Sequence, residues 1–544
     1  MKNILKHIIA GVALMVLACS CNDFLDIKPL DRMVFEDYWK TANDAEAVVL
    51  ACYRAMQEDG FMERIILGGE LRSDNVVVDA VGESRLGSSE DQKNINDANI
   101  RSTNALCKWL DFYRVINYCN AVLKYAPGIR ELDPDYTQGR LNAHLAEALT
   151  IRALTYFYLV RLYKDVPFID FPYVEDSQDF VVPQMDGDEL LSHIVEDLKT
   201  AEIYAIKART NSIEQRGRVS KNAVRAILAD VLLWLGRYDE CIEACNRVMP
   251  DVIELGQVIN SEKLTGAELM LISNKEYNLN SANLFYPSTS TSVRTTMESI
   301  FELRFSATNG KNNDKLKELY GSGPTKFGKM MAAPVPEYGL FSQNDFRRIT
   351  SCEVPQTNSV DKLYPIFKYV GSNIVLNING EPRYIYIEGS LVVPGWIFYR
   401  LPDIYLMRAE AYIEKNMSGA ASEDDLRKAL ADINLIYMRS APLDMPFEYD
   451  QYNTPALLRQ LVLDERQREF LFEGKRWFDL LRMARRDEKE IKNHTEMLML
   501  VIRKYETNGG IVQSKLTDFN ALYLPVYEGE LKANSALIQN PYYK

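Results

Sequence analysis

Histidine is nearly absent, with four in 544 residues, and no His-Glu-x-x-His or similar metal-ligand spacing surrounds His144, His193 or His494. That removes the commonest metal ligand and the commonest general base together. Gly-x-Ser-x-Gly, the phosphate-binding loop and the dinucleotide fingerprint are missing too, which excludes the chemistry those motifs carry. Basic residues are outnumbered, 63 Lys and Arg against 76 Asp and Glu, for a formal charge of -13. Nucleic acid is therefore not an expected partner, because its capture needs clustered cations that displace counterions. Of eight cysteines, Cys52, Cys107, Cys119, Cys241, Cys245 and Cys352 show no disulfide framework. Cys241 and Cys245, one helical turn apart with no further ligand near them in sequence, read as small buried residues. No segment beyond the N-terminus is apolar enough to cross a membrane.

What is present begins at that N-terminus. Lys2 and Lys6 precede an apolar run from Ile8 to Leu17 and then Ala18-Cys19-Ser20-Cys21, the pattern of a secretory signal with its cleavage zone. Cleavage after residue 20 would leave Cys21 first, placed for lipid modification, and several acyl chains would hold the protein firmly to a membrane. Cys19, preceded by Val16-Leu17-Ala18, is the alternative site.

Helical periodicity dominates the rest. Thr41 or Asn43 could cap a helix running to about Met56, Trp109 to Tyr125 is helical, and His144 to Tyr163 is a strongly apolar helix stopped before Pro167. Val219 to Met249 reads as a helix pair broken at Gly236, and 399–420 with 425–439 as another. Ser299 to Phe305 alternates like a strand, and short β-like runs occur between Tyr364 and Leu391. The expected fold is mainly α, with tetratricopeptide-like helix pairs as scaffold and a loop-rich face bearing a few short strands. Residues 68–103 read as one long irregular loop, with a strand-like Val76-Val77-Val78.

The most informative stretch is Leu461 to Arg486. Leu461, Leu471, Phe472, Phe478 and Leu481 give apolar faces at helical spacing, and Gly474 fits the stop between two helices of a hairpin. Glu465, Arg466, Arg468, Glu469, Arg476, Asp479 and Arg482 are interleaved with them, so hydrogen-bonded ion pairs are expected inside. Asp464, Glu465, Glu469, Glu473 and Asp479 sit among arginines that would lower their pKa values, which spoils a general acid.

From Asp464 to Arg482 the string D-E-R-x-R-E-F-x-F-E-G-x-R-W-F-D-L-x-R resembles the C-terminal signature of the SusD/RagB family of Bacteroidetes surface lipoproteins. The W-x3-Y-x2-I-x3-N of Trp109 to Asn120, the Asp-Val-Pro after Tyr163 and the closing Gln539-Asn-Pro-Tyr-Tyr543 are similar to the same family. The resemblance implies a signal peptide at 1–20, an N-terminal region at 21–330 and a C-terminal SusD/RagB region at 331–544. It further implies a non-enzymatic outer-membrane subunit without cofactor or metal, anchored through Cys21, which captures oligosaccharide and delivers it to a SusC-like TonB-dependent transporter. A RagB-like role in oligopeptide uptake is the alternative.

Carbohydrate binding asks for flat aromatic faces with Asp, Asn and Arg beside them. Two loops offer these: Arg72, Asp74, Asn75 and Arg101 in the first, and Tyr277, Phe285, Tyr286 and Arg294 in the second. Trp109 joins them as a candidate, whereas Trp39, Trp234, Trp396 and Trp477 stand in core contexts.

Overall fold

Thr41 starts the first long helix by a reciprocal cap: its hydroxyl accepts from the Asp44 N–H while the Asp44 carboxylate accepts from the Thr41 N–H. The helix Ala42–Met56 packs on Leu110–Leu132. In chain order Gln138–Tyr163, Gly187–Tyr204, Lys221–Trp234, Tyr238–Asn260, Leu401–Glu414, Glu423–Ser440 and Pro455–Phe470 follow, each against the one before it. This row is the expected scaffold of helix pairs, and Gly236, at φ +72°, makes the turn inside one of them. The structure, a computed structural model, describes residues 38–78, 88–175, 177–207, 216–260, 298–305, 311–323, 326–352, 364–369, 372–376, 382–386, 393–417, 421–486, 492–505 and 507–544.

The Gln138–Tyr163 helix is buried on every side from Ala146 to Tyr163. A helix enclosed this way must pair each polar group it carries. Glu147 accepts two bonds from Arg218 and one from the Tyr53 hydroxyl, and Arg152 reaches Asp197 and Asn120. Thr150 and Thr155 donate back to carbonyls four residues earlier. The cysteines at 52, 107, 119, 241, 245 and 352 are free and buried, as their spacing implied.

Strands are short and occur as separate antiparallel pairs among the described residues: Ser299–Leu303 with Trp396–Arg400, Ser372–Leu376 with Pro382–Tyr386, Val76–Val77 with Met331–Ala332, Val166–Pro167 with Gln184–Met185, and Gly321–Gly323 with Lys326–Phe327. The first loop departs from expectation. Residues 68–70 end the helix Asp59–Glu70, and Glu90–Asn96 is a helix capped reciprocally by Ser89 and Gln92. The sequence of that helix hides it, because Ile95 is its one apolar residue.

The predicted hairpin is present as Pro455–Phe470 and Arg476–Arg485, joined through Gly474 at φ +71°. A Cβ there would lie 2.7 Å from the Trp396 ring, and one on Gly69 would lie 1.9 Å from the Gly474 carbonyl oxygen, so two glycines let the helix 59–70 and the connector touch. Around the hairpin the carboxylates of Asp345, Glu298, Glu465, Glu469 and Glu473 interlock with Arg347, Arg400, Arg439, Arg468 and Lys368. Burial alone would raise the Glu473 carboxyl, but Arg400 and Lys368 outweigh it and hold it at about 2. Glu469 is likewise held well below the usual range, against its own burial, by Arg439, Arg400 and Arg347. Such a lattice fixes one arrangement of the helices rather than supplying a proton donor.

Candidate functional site

Trp109 precedes the Leu110–Leu132 helix, and its ring, with Tyr113 one turn on, lines the floor of a cleft of about 460 Å³. One wall is the segment 167–182 and the other is Tyr527 with the helix Glu528–Ala533. The volume is that of a small-molecule site. Trp109 itself is buried, meets Tyr113 at 6.0 Å and Tyr163 edge-on at 5.6 Å, and its indole N–H has no hydrogen-bond partner among the described residues. Its backbone N–H donates to Glu530, and Lys108 lies over the Tyr527 ring at 5.2 Å.

The wall at 169–182 is fastened to the Leu110–Leu132 helix by amides. Asn117 donates to the Tyr173 carbonyl at 3.0 Å and accepts from the Tyr173 N–H at 2.7 Å, so its side chain imitates a strand neighbour. Asn120 donates to the carbonyls of Ile169 and Phe171 and accepts from Arg152. Gln178 accepts from the N–H groups of Val174 and Glu175 and donates to the Pro172 carbonyl, while Asn534 donates to Val182. On this fixed backbone Tyr173 stacks on Phe180 at 4.7 Å with 22° between the planes, and Phe171 stands edge-on to Tyr173 at 5.0 Å. Phe171 is 41% and Phe180 50% exposed. Burial and the nearby Asp179 raise the Tyr173 phenol, and burial raises that of Tyr113, whose hydroxyl donates to Pro167, so both rings are neutral hydrogen-bonding groups at ordinary pH.

Three of the residues expected in the first ligand loop lie in the interior. Arg72, 4% exposed, donates to the carbonyls of Leu522 and Ala521 and lies 4.3 Å over the Trp477 ring. Asp74 accepts from Arg476 at 2.8 and 3.1 Å, from Arg503 at 2.7 Å and from Gln467 at 3.1 Å. Asn75 bridges Glu70 and Gln467. The reason for this placement is long-range: the hairpin arrives some four hundred residues later and encloses the segment. Arg101 is exposed, and Trp109 reaches the cleft. Tyr277, Phe285, Tyr286 and Arg294 lie outside the described residues, as does Cys21. Trp39, Trp234, Trp396 and Trp477 are core, as expected.

Phe171, Tyr173 and Phe180 were not legible as a site. Their signal was the pair Asn117 and Asn120, amides placed one turn apart on an otherwise apolar helix face, which require carbonyl partners from another segment.

The motif carboxylates bear out the pairing argument at Glu469, Glu473 and Asp479, all held low against burial by arginines. Asp464 differs: burial raises its carboxyl, and its bond is to the neutral Gln460 amide. His144 is bonded to the Tyr136 hydroxyl and Glu46, His193 stacks on Phe168 and His494 bonds to the Leu516 carbonyl. Among the described residues no cluster of three His, Cys, Asp or Glu side chains could hold a metal, and no helix is long and apolar enough to cross a membrane.

Two family models match the chain. The one described as the SusD family covers residues 342–543, and one described as starch-binding associating with outer membrane covers 23–233. SusD-like protein P2 of Formosa agariphila is 24% identical over 501 residues, spanning 88% of this chain and 90% of that protein. A SusD superfamily protein of Bacteroides vulgatus has a similar fold, with a TM-score of 0.68 at 20% identity over 93% of this chain and all of that one. Surface glycan-binding protein A of Bacteroides uniformis gives a TM-score of 0.62 at 18% identity, over 92% of this chain and all of that one.

Proposed function

We propose, because the chain belongs to the SusD family, that it is a surface glycan-binding lipoprotein that captures an oligosaccharide and delivers it to a SusC-like TonB-dependent transporter of the outer membrane. The family is non-catalytic, and the pairing of the motif carboxylates with arginines agrees with that. One structure of the same fold is called a surface glycan-binding protein, and one family model is described by starch binding at the outer membrane. The local observation that carries the reading is the cleft beside Trp109, where the half-exposed Phe180 stacks on Tyr173 and Phe171 stands edge-on beside them, on a backbone that four amide side chains hold. Sugar recognition needs flat faces already in place, and rings held this way supply them.

In this reading the anchor is Cys21, with the leader after it as tether, and the exposed Arg101 and the loop residues Tyr277, Phe285, Tyr286 and Arg294 are further ligand contacts. Capture would end with the lipoprotein closing over its transporter. The test is calorimetry of the soluble protein beginning after Cys21 against glycans and a tryptic peptide mixture. Saturable binding of a glycan supports the reading; binding of peptides alone moves the protein to oligopeptide uptake.

A further inference from the structure

The segment 169–182 combines two properties that select among glycans. Of its exposed rings Phe180 lines the cleft and Phe171 stands outside the lining, edge-on to the lining Tyr173. Its exposed charges, on the same segment next to the lining residues, are of one sign: Asp170, Glu175 and Asp179 all reach solvent, and the segment contains no lysine or arginine. Across the cleft Glu530 adds a carboxylate and Lys108, over the Tyr527 ring, is the one cation among the described lining residues.

We propose that Phe171 and Phe180 form the stacking platform of this site for an uncharged, hexose-based oligosaccharide, and that the acidic rim excludes sulfated and uronate glycans. The inference rests on the glycan-binding reading above and names the class of sugar it takes. A pyranose presents a face of C–H groups that packs flat on an aromatic ring, and its hydroxyls donate to carboxylates at the edge. A sulfate or carboxylate brought to the same rim meets like charge with one nearby cation to offset it. The platform needs no rearrangement to bind, since Asn120 holds the Phe171 carbonyl and Asn117 holds the backbone of Tyr173, on whose ring Phe180 stacks. A cation-rich peptide is the competing ligand for an acidic aromatic face, stacking a guanidinium where a sugar would lie.

The experiment compares wild type, the double variant Phe171→Ala/Phe180→Ala and Asp170→Asn/Asp179→Asn by calorimetry. The probes are neutral gluco-, manno- and galacto-oligosaccharides, polygalacturonate and sulfated oligosaccharides, and an arginine-rich peptide. Both rings are half exposed, so melting temperature and circular dichroism should stay near wild type. The expected result is binding of a neutral oligosaccharide, weakened roughly tenfold in the aromatic variant. Anionic glycans should be rejected by wild type and bound more tightly by the asparagine variant than by wild type. Neutral-glycan binding unchanged in the aromatic variant overturns the platform and leaves the glycan reading standing. Preference for an anionic glycan overturns the charge argument. Peptide binding with no glycan binding overturns both this inference and the reading beneath it.

Discussion

Replacing Asp74 by alanine removes the carboxylate that neutralises Arg476 in the interior. Asp74 is fully buried and Arg476 is 2% exposed, and among the described residues the guanidinium would keep one hydrogen-bond acceptor, the Leu463 carbonyl at 3.1 Å, with Asp464 and Asp479 near it but not bonded to it. Stranding one member of a buried pair costs about 3–5 kcal/mol. Arg503, whose side chain is 33% exposed, can turn to water, so its lost contact adds only about 0–1 kcal/mol. Gln467 keeps Asn75. The expected loss is thus set by Arg476, and Asp74→Asn, which retains an acceptor, should cost less, about 1–3 kcal/mol. Asp74→Ala/Arg476→Met removes both charges and should recover most of the loss, because a buried pair replaced by apolar groups is often near neutral. Urea unfolding followed by tryptophan fluorescence, with Trp477 close by, reads all four proteins. A double variant no more stable than Asp74→Ala would refute the ion-pair account. An Asp74→Asn protein of wild-type stability that had lost its ligand would return Asp74 to the binding site.

Acid should unfold the protein through its paired carboxylates. Asp74 and Glu473 are each held at about 2, against 3.8 and 4.5 when unpaired, so their stabilisation is complete above those values and is lost as pH falls towards 2. A melting temperature flat from pH 5 to 2.5 would contradict this. Glu70 has the opposite sign: burial pushes its carboxyl up to about 8, so the folded chain keeps a proton that the unfolded chain releases from 4.5 upward. Wild type should therefore lose stability relative to Glu70→Gln between pH 4.5 and 8, with a constant difference above, and parallel pH profiles of the two proteins would refute it. Gly474→Ala places a side chain at φ +71° and 2.7 Å from the Trp396 ring, for an expected loss of about 1–3 kcal/mol in urea unfolding. Asn117→Leu deletes both bonds to Tyr173; faster hydrogen exchange at 173 and 174 and weaker glycan binding should follow with the rest of the fold retained.

The helix pairs and the 461–486 hairpin were legible because apolar periodicity and glycine stops are local signals. Ion pairing around Glu469 was legible in kind, since charges so tightly mixed with aromatics must meet, but Arg347, Arg400 and Arg439 were not identifiable as the partners. Asp74 illustrates the limit best. It stands in a polar stretch that reads as a surface loop, and its burial is decided by Arg476, 402 residues away. The helix Glu90–Asn96 was hidden for a different reason: its stability rests on a reciprocal cap and on packing of Ile95, and neither produces a periodic pattern. At the cleft, Trp109 could be singled out from its motif, but the platform of Phe171 and Phe180 depends on where two asparagines hold a neighbouring segment.

Whether the protein binds sugar without cleaving it is the central question. It is answered by titrating the soluble form, beginning after Cys21, with neutral oligosaccharides by calorimetry and analysing the same samples for products by chromatography. The account predicts saturable heat and the oligosaccharide recovered intact. Shortened oligosaccharide in those samples, or heat from peptides and none from any glycan, would contradict it.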